Sequence, residues 1–216
     1  MLIDDQLSWK HHINYVRSKI AKALAYISTS KKSLPREVKK LLYKSIVESQ
    51  YNYCLSVWGG ASDTLLDPII KLQKKAIRLV TESKYNAHTE PLFERTKSLK
   101  FKDIYHLRCA ELAMRVVKGT ASPGLSQCFR VLGGEGTRKT TRAQQSVLPK
   151  LYVPLAKTEA MSRLPSSKVP RIWRDLDEKY KLFGRIALKQ DYKFYKFEEY
   201  KQFQCSTPKC YTCNRL

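Results

Sequence analysis

The stretch Asp63-Thr64-Leu65-Leu66-Asp67-Pro68-Ile69-Ile70-Lys71-Leu72-Gln73-Lys74-Lys75-Ala76-Ile77-Arg78-Leu79-Val80-Thr81 decides the fold class. At ~3.6 residues per turn, Ile69, Leu72, Ala76, Leu79 and Val80 share one helical face. Lys71, Lys74, Lys75 and Arg78 fall roughly opposite, with no acid among them. Asp63 can cap this helix, which runs to about Thr81. Pro68 suits it only if the regular part starts near there. One face must be buried, so the other is presented outward. Four cations on that face can lie along phosphates without reading sequence; the plainer reading is a solvated face.

Working outward, residues 8–31 carry Trp9, Ile13, Val16, Ile20, Leu24 and Ile27 at steps of three and four, which predicts an amphipathic helix. Lys31-Lys32-Ser33 breaks it. Pro35 suits a first helical position, with Glu37 near the helix start. Val38, Leu41, Leu42, Ser45 and Ile46 carry this second helix towards Tyr51-Asn52-Tyr53-Cys54, and Trp58-Gly59-Gly60 ends it. Trp58 is expected to be buried there, with Tyr53 and Cys54 nearby. Lys39, Lys40 and Lys44 on this helix would extend the basic surface. A fourth helix is predicted over 101–118, with Phe101, Ile104, Tyr105, Cys109, Leu112 and Val116 inward and Gly119 as its stop.

Beyond Gly119 the character changes. Residues 119–149 are rich in Gly, Pro, Ser and Thr and read as linker or irregular structure. Leu151-Tyr152-Val153-Pro154-Leu155 suggests a short edge strand. Residues 174–204 read as helical and aromatic, with Tyr192, Phe194, Tyr195, Phe197, Tyr200 and Phe203. The fold class is mainly α: a helical bundle over 1–118, a linker over 119–150, a smaller irregular α(+β) extension over 151–204, and a cysteine-rich tail over 205–216.

Charge narrows the partners. The 216 residues carry 41 Lys and Arg against 19 Asp and Glu, a formal net charge of +22. The excess is +11 up to Lys118 and +11 after it, so it belongs to the whole chain and not to a tail. Such a field attracts polyanions. Nucleic acid leads, because neutralising phosphates releases counterions, and an anionic membrane surface is the weaker rival. No apolar run is long enough to span a membrane, and Met1-Leu2-Ile3 leads straight into Asp4-Asp5 without a signal peptide. The expectation is an intracellular chain, nuclear or cytoplasmic and not secreted, without disulfides. Cys54, Cys109 and Cys128 then read as buried free thiols.

Several short signals recur in a set order. They are Ile3-Asp4-Asp5-Gln6-Leu7-Ser8-Trp9-Lys10-His11-His12-Ile13, Leu34-Pro35, Leu42-Tyr43, Tyr51-Asn52-Tyr53-Cys54, Val57-Trp58-Gly59, Leu72-Gln73-Lys74-Lys75-Ala76-Ile77-Arg78, His88-Thr89-Glu90-Pro91-Leu92-Phe93 and Asp103-Ile104-Tyr105. This order and spacing resembles the region just after the palm in jockey-like non-LTR retrotransposon reverse transcriptases, where it forms the helical thumb and a carboxy-terminal extension. Thr141-Arg142, Leu151 to Pro154, Lys157-Thr158-Glu159 and Ile172-Trp173 are similar to that extension's later signals. The likeness is dense from Asp4 to Tyr105 and patchy after Gly119. The stretch around Trp9 also resembles a short amino-terminal segment of an AlkB-type tRNA-modifying protein, too brief a match to imply a function.

The resemblance implies a nucleic-acid-contacting fragment of an RNA-directed DNA polymerase, gripping a template–primer duplex of RNA and DNA, with the rest of the parent polymerase as a further partner. The catalytic palm would be missing. Its carboxylates hold the magnesium ions of phosphoryl transfer, and Asp4-Asp5 has no third carboxylate near it, so that pair reads as a turn and helix-start feature. No catalytic residue is assigned, and the chain alone is expected to be inactive. Aromatics such as Tyr192, Tyr195 and Phe203 could stack on unpaired bases, although core packing is the commoner fate.

Cys205-x4-Cys210-x2-Cys213 offers three thiols at spacing that suits part of a zinc knuckle. The fourth ligand would be Cys128, a distant His, or a residue beyond the chain; exposed thiols are the plainer reading. Gly133-Gly134-Glu135-Gly136-Thr137-Arg138-Lys139-Thr140 fails as a phosphate loop, because Arg138 stands where Gly must precede the Lys. His11 and His12 point to different helix faces, and His88 has no nucleophile tied to it. The competing classes are a non-catalytic interaction scaffold and a small zinc-binding nucleic-acid protein of transposon origin.

Overall fold

Asp4 starts the fold. Its carboxylate accepts from the Ser8 amide at 2.6 Å and the Ser8 hydroxyl at 2.9 Å, and its carbonyl accepts from Leu7 at 3.1 Å. The Ser8 amide holds this carboxyl below the usual range. The pair Asp4-Asp5 is thus a turn feature ahead of helix α1, Lys10–Thr29. The structure, a computed structural model, describes residues 1–30, 33–132, 150–182 and 184–202. Trp9, Ile13, Val16, Ile20, Leu24 and Ile27 are all buried, as their spacing requires. Each such aliphatic side chain contributes roughly 1.5–3 kcal/mol on burial. His11 is exposed and His12 buried, on different faces.

The next segment departs from the expected face. It comprises α2 (Arg36–Leu42, with Pro35 just ahead of it), a π-helical stretch (Tyr43–Glu48), α3 (Ser49–Asn52) and α4 (Leu55–Trp58). The buried positions are Lys39, Tyr43, Val47, Tyr51 and Leu55, at steps of four, and then Trp58, three residues further on. Val38, Leu41 and Ile46, expected to carry the helix, are exposed. The reason is geometric. A π turn bonds i to i+5 and holds more residues than an α turn, so the step of four from Tyr43 to Val47 stays on one face, while the step from Tyr51 to Leu55 crosses the break at extended Tyr53 and left-handed Cys54.

Helix α5 spans Asp63–Val80, with Ser62 and not Asp63 at the cap position. Pro68 lies inside it, one turn after the start, where it deprives the Thr64 carbonyl of an i+4 donor. Leu66, Ile69, Gln73, Ala76, Ile77 and Val80 are buried, while Leu72 and Leu79 are half-buried. The inward face is therefore centred nearer Gln73 and Ile77 than the sequence pattern placed it. Helix α6 (Glu90–Thr96) was not anticipated. Helix α7 (Phe101–Val117) was, and Gly119 ends it at φ +66° with the Thr120 amide donating to Arg115 at 2.9 Å. Its burial extends beyond one stripe to Leu107, Ala110, Ala113 and Met114.

The chain then continues through α8 (Pro123–Gln127), the two-residue strands β1 (Val131–Leu132) and β2 (Lys150–Leu151), α9 (Glu159–Arg163), α10 (Pro165–Asp175), α11 (Glu178–Leu182) and α12 (Arg185–Lys201). The protein is mainly helical, as expected. The strand at Leu151 is real but ends there, and α8 and β1 occupy part of the stretch read as linker. Packing divides the chain into two compact units: Met1–Ile104 with the chain from Lys193, and Tyr105–Tyr192. The division falls inside α7 and inside α12.

In the first unit, Gln73 organises a buried polar cluster. Its Nε2 donates towards Tyr43 Oη (3.2 Å), Tyr51 Oη (3.1 Å) and Leu99 O (3.0 Å), and its Oε1 accepts from the Phe101 amide at 2.8 Å. The two tyrosine hydroxyls bond each other at 2.9 Å, and burial raises both above the usual phenol range. Trp58 is fully buried, donates to Tyr53 O at 2.9 Å, and meets His12 edge-on (5.4 Å) and Phe101 (5.8 Å). Near the end of α12, Tyr200 donates to Asp103 and accepts from the Lys100 amide at 3.1 Å.

In the second unit, β1 and β2 pair antiparallel, Val131 opposite Leu151. Thr158 caps α9 by accepting from the Met161 amide at 3.2 Å. Val169, Trp173, Tyr180, Leu188 and Tyr192 are buried. Tyr192 packs 6.4 Å from Tyr180, which makes it a core residue rather than a stacking platform. Tyr195 is exposed, and Phe203 lies outside the described residues.

Candidate nucleic-acid interface

Helix α5 displays its cations because its other face is occupied. Lys71 and Lys75 are exposed, and Lys74 and Arg78 half-buried, on the side away from Ile69, Gln73 and Val80. They are not equivalent. Lys71 pairs with Asp67 at 2.7 Å, one turn earlier, and that hydrogen bond raises its pKa. The pair is exposed and worth little energetically. Arg78 is anchored: its Nε donates to Ala87 O at 2.9 Å, and its guanidinium lies 5.9 Å from the Tyr85 ring centre.

Of the flanking lysines, Lys44 is exposed and Lys40 half-buried. Lys39 does not extend this surface: its side chain is 1% exposed and its ammonium bonds Glu82. The four-residue step of the π-containing segment turns Lys39 inward in line with Tyr43 and Val47. Its stem is buried and its head reaches Glu82. Glu82 sits just past α5 at φ +56°, a left-handed position that usually favours Gly. The Ser83 amide closes the helix end by donating to Arg78 O at 2.9 Å.

Lys39 and Glu82 form part of the wall of a cavity of about 500 Å³, with Leu34, Lys75, Arg78, Leu79, Ser83 and Tyr85. Tyr85 is 87% exposed. The sequence reading missed it, since a lone aromatic in a loop carries no periodic signal.

The chain is 27% identical over 84 residues to a protein of Drosophila melanogaster described as "Probable RNA-directed DNA polymerase from transposon X-element". Over that stretch the chain is similar to part of a transposon-encoded RNA-directed DNA polymerase. The aligned part is 38% of this chain and 9% of that relative, so the chain spans only a small part of the curated protein it matches. No family model and no solved structure matches it.

The remaining candidates are the cysteines, some of which fall outside the described residues. Cys205, Cys210 and Cys213 lie outside them, and among the described residues no cluster of His, Cys, Asp or Glu could hold a metal ion. Cys109 is buried, and burial pushes its thiol up to about 12, which leaves it protonated and inert. Cys54 is half-buried. Cys128 is exposed, contrary to the expectation of burial, and its Sγ donates to Gly124 O at 3.4 Å. No helix among the described residues is long and apolar enough to cross a membrane.

Proposed function

We propose that this chain is the thumb-like part of a jockey-like retrotransposon reverse transcriptase, without the catalytic palm. Its task in this reading is to hold an RNA–DNA template–primer duplex by its phosphates while the palm of the parent polymerase performs phosphoryl transfer. The observation that carries the reading is the α5 stripe. A helix whose inner face is fixed by buried Ile69, Gln73, Ala76 and Ile77 presents Lys71, Lys74, Lys75 and Arg78 outward, on a chain of net charge +22 that is related to an RNA-directed DNA polymerase. Backbone contacts of this kind position a duplex and carry no base information.

The test replaces Lys71, Lys74, Lys75 and Arg78 together by Gln, which keeps helix propensity and removes the charge. The variant should keep its circular dichroism and bind an RNA–DNA duplex more weakly. For every phosphate no longer neutralised, the salt dependence should flatten by about one unit. Unchanged affinity and slope would reduce the stripe to a solvated face.

A further inference from the structure

We propose that the cavity between the start of α2 and the end of α5 takes one unpaired nucleotide of a single strand, its phosphate between Lys75 and Arg78 and its base on Tyr85. This rests on the nucleic-acid reading above and goes beyond it, because a duplex-gripping stripe needs no pocket. Three features of the cavity select this ligand.

Its size, about 500 Å³, lies within the range of small-molecule pockets and is generous for a bare phosphate. Its charge is uneven. The lining holds Lys39, Lys75, Arg78 and a single carboxylate, Glu82. Lys39 and Glu82 bond each other, so the surplus cations are Lys75 and Arg78. The Nε–H of Arg78 is committed to Ala87 O at 2.9 Å, which fixes the guanidinium plane and turns its remaining N–H groups into a pre-set fork for phosphate oxygens.

The third feature is the ring. Tyr85 is 87% exposed at the rim, with the Arg78 guanidinium 5.9 Å from its centre. An exposed aromatic beside a cation is the pairing that sequence-tolerant single-strand binders use, the ring for the base and the charge for the backbone. Leu34 and Leu79 supply apolar wall. Glu82, in the wall, takes a left-handed conformation at the end of α5 and bonds buried Lys39.

The experiment measures binding of labelled oligouridine and of a labelled blunt RNA–DNA duplex by anisotropy, across a salt series. It compares the wild-type chain with Tyr85→Ala and Tyr85→Trp. Tyr85 is exposed, so neither substitution disturbs the core. Tyr85→Ala should weaken oligouridine binding about tenfold with an unchanged salt slope, since no cation is removed, and should leave duplex affinity as it was. Tyr85→Trp should restore the single-strand affinity, because a base stacks on indole as on phenol. Wild-type oligouridine affinity in Tyr85→Ala, or an equal loss on both ligands, overturns the pocket and leaves the stripe standing. A wild-type chain that binds neither ligand overturns the stripe and the pocket together.

Discussion

Helix α5 and the segment from Arg36 to Trp58 are similarly apolar, yet only α5 follows the period from which a helix face is ordinarily read. In α5 the buried positions, Leu66, Ile69, Gln73, Ala76, Ile77 and Val80, recur at threes and fours. In the other segment they recur at fours, from Lys39 to Leu55. A π-helical stretch accommodates the step from Tyr43 to Val47. The consequence is a reversal of roles: a lysine is buried while Leu41 stays 65% exposed. Residue type sets what a side chain prefers, but the turn geometry decides which face it is on.

The most damaging way to probe the comparison is at the point where the four-step segment ends. Trp58 is fully buried, with Phe101 and His12 against its ring and its N–H on the Tyr53 carbonyl. Trp58→Ala should destabilise the protein by ~3–5 kcal/mol, read by chemical denaturation. A near-neutral result would mean that the segment does not dock as described.

A sharper test sets two apolar residues of the same segment against each other. Val47→Ala removes buried methyl groups and should cost ~1.5–2.5 kcal/mol. Leu41→Ala, in the larger side chain, should stay within about 0.5 kcal/mol of wild type. The apolar face read from the sequence, with Val38, Leu41, Leu42 and Ile46, predicts the opposite order, so equal or inverted effects would overturn the observed burial.

The smallest effect is a pH dependence at the α1 side of the same contact. Burial holds His12 below its ordinary value of 6.5, and its Nε2 has no hydrogen-bond partner. The unfolded chain therefore binds this proton more readily than the folded one. Its contribution is complete above pH 6.5 and is lost as pH falls below that value towards the lowered folded one. The wild-type melting temperature should drop between about pH 7 and about pH 5, and His12→Phe, which keeps a ring against Trp58, should drop less. Parallel curves would show that His12 titrates as it does in the unfolded chain.

Much of the architecture was legible because it follows from regular periodicity or local chemistry. The α1 seam, the left-handed stop at Gly119, the Asp4 turn and the burial of Trp58 all depend on side chains a few residues apart. The candidate interface was legible in part. Lys71, Lys74, Lys75 and Arg78 fall on one face by helical arithmetic alone, whereas Lys39 was assigned to the surface because charge normally stays there. Tyr85 and α6 went unread, since neither carries a periodic signature.

The sequence by itself determined a mainly helical, strongly basic chain, with one helix whose cations stand opposite its apolar face and an 84-residue similarity to part of a transposon RNA-directed DNA polymerase. Tertiary structure alone decided that Lys39 turns inward to Glu82, that Gln73 joins two tyrosines in the core, and that Lys75, Arg78 and Tyr85 border one cavity. The physical reason is distance along the chain. Helix period and capping act over a few residues, whereas Lys39 and Glu82, or Gln73 and Phe101, become neighbours only when burial of apolar surface brings separate segments together.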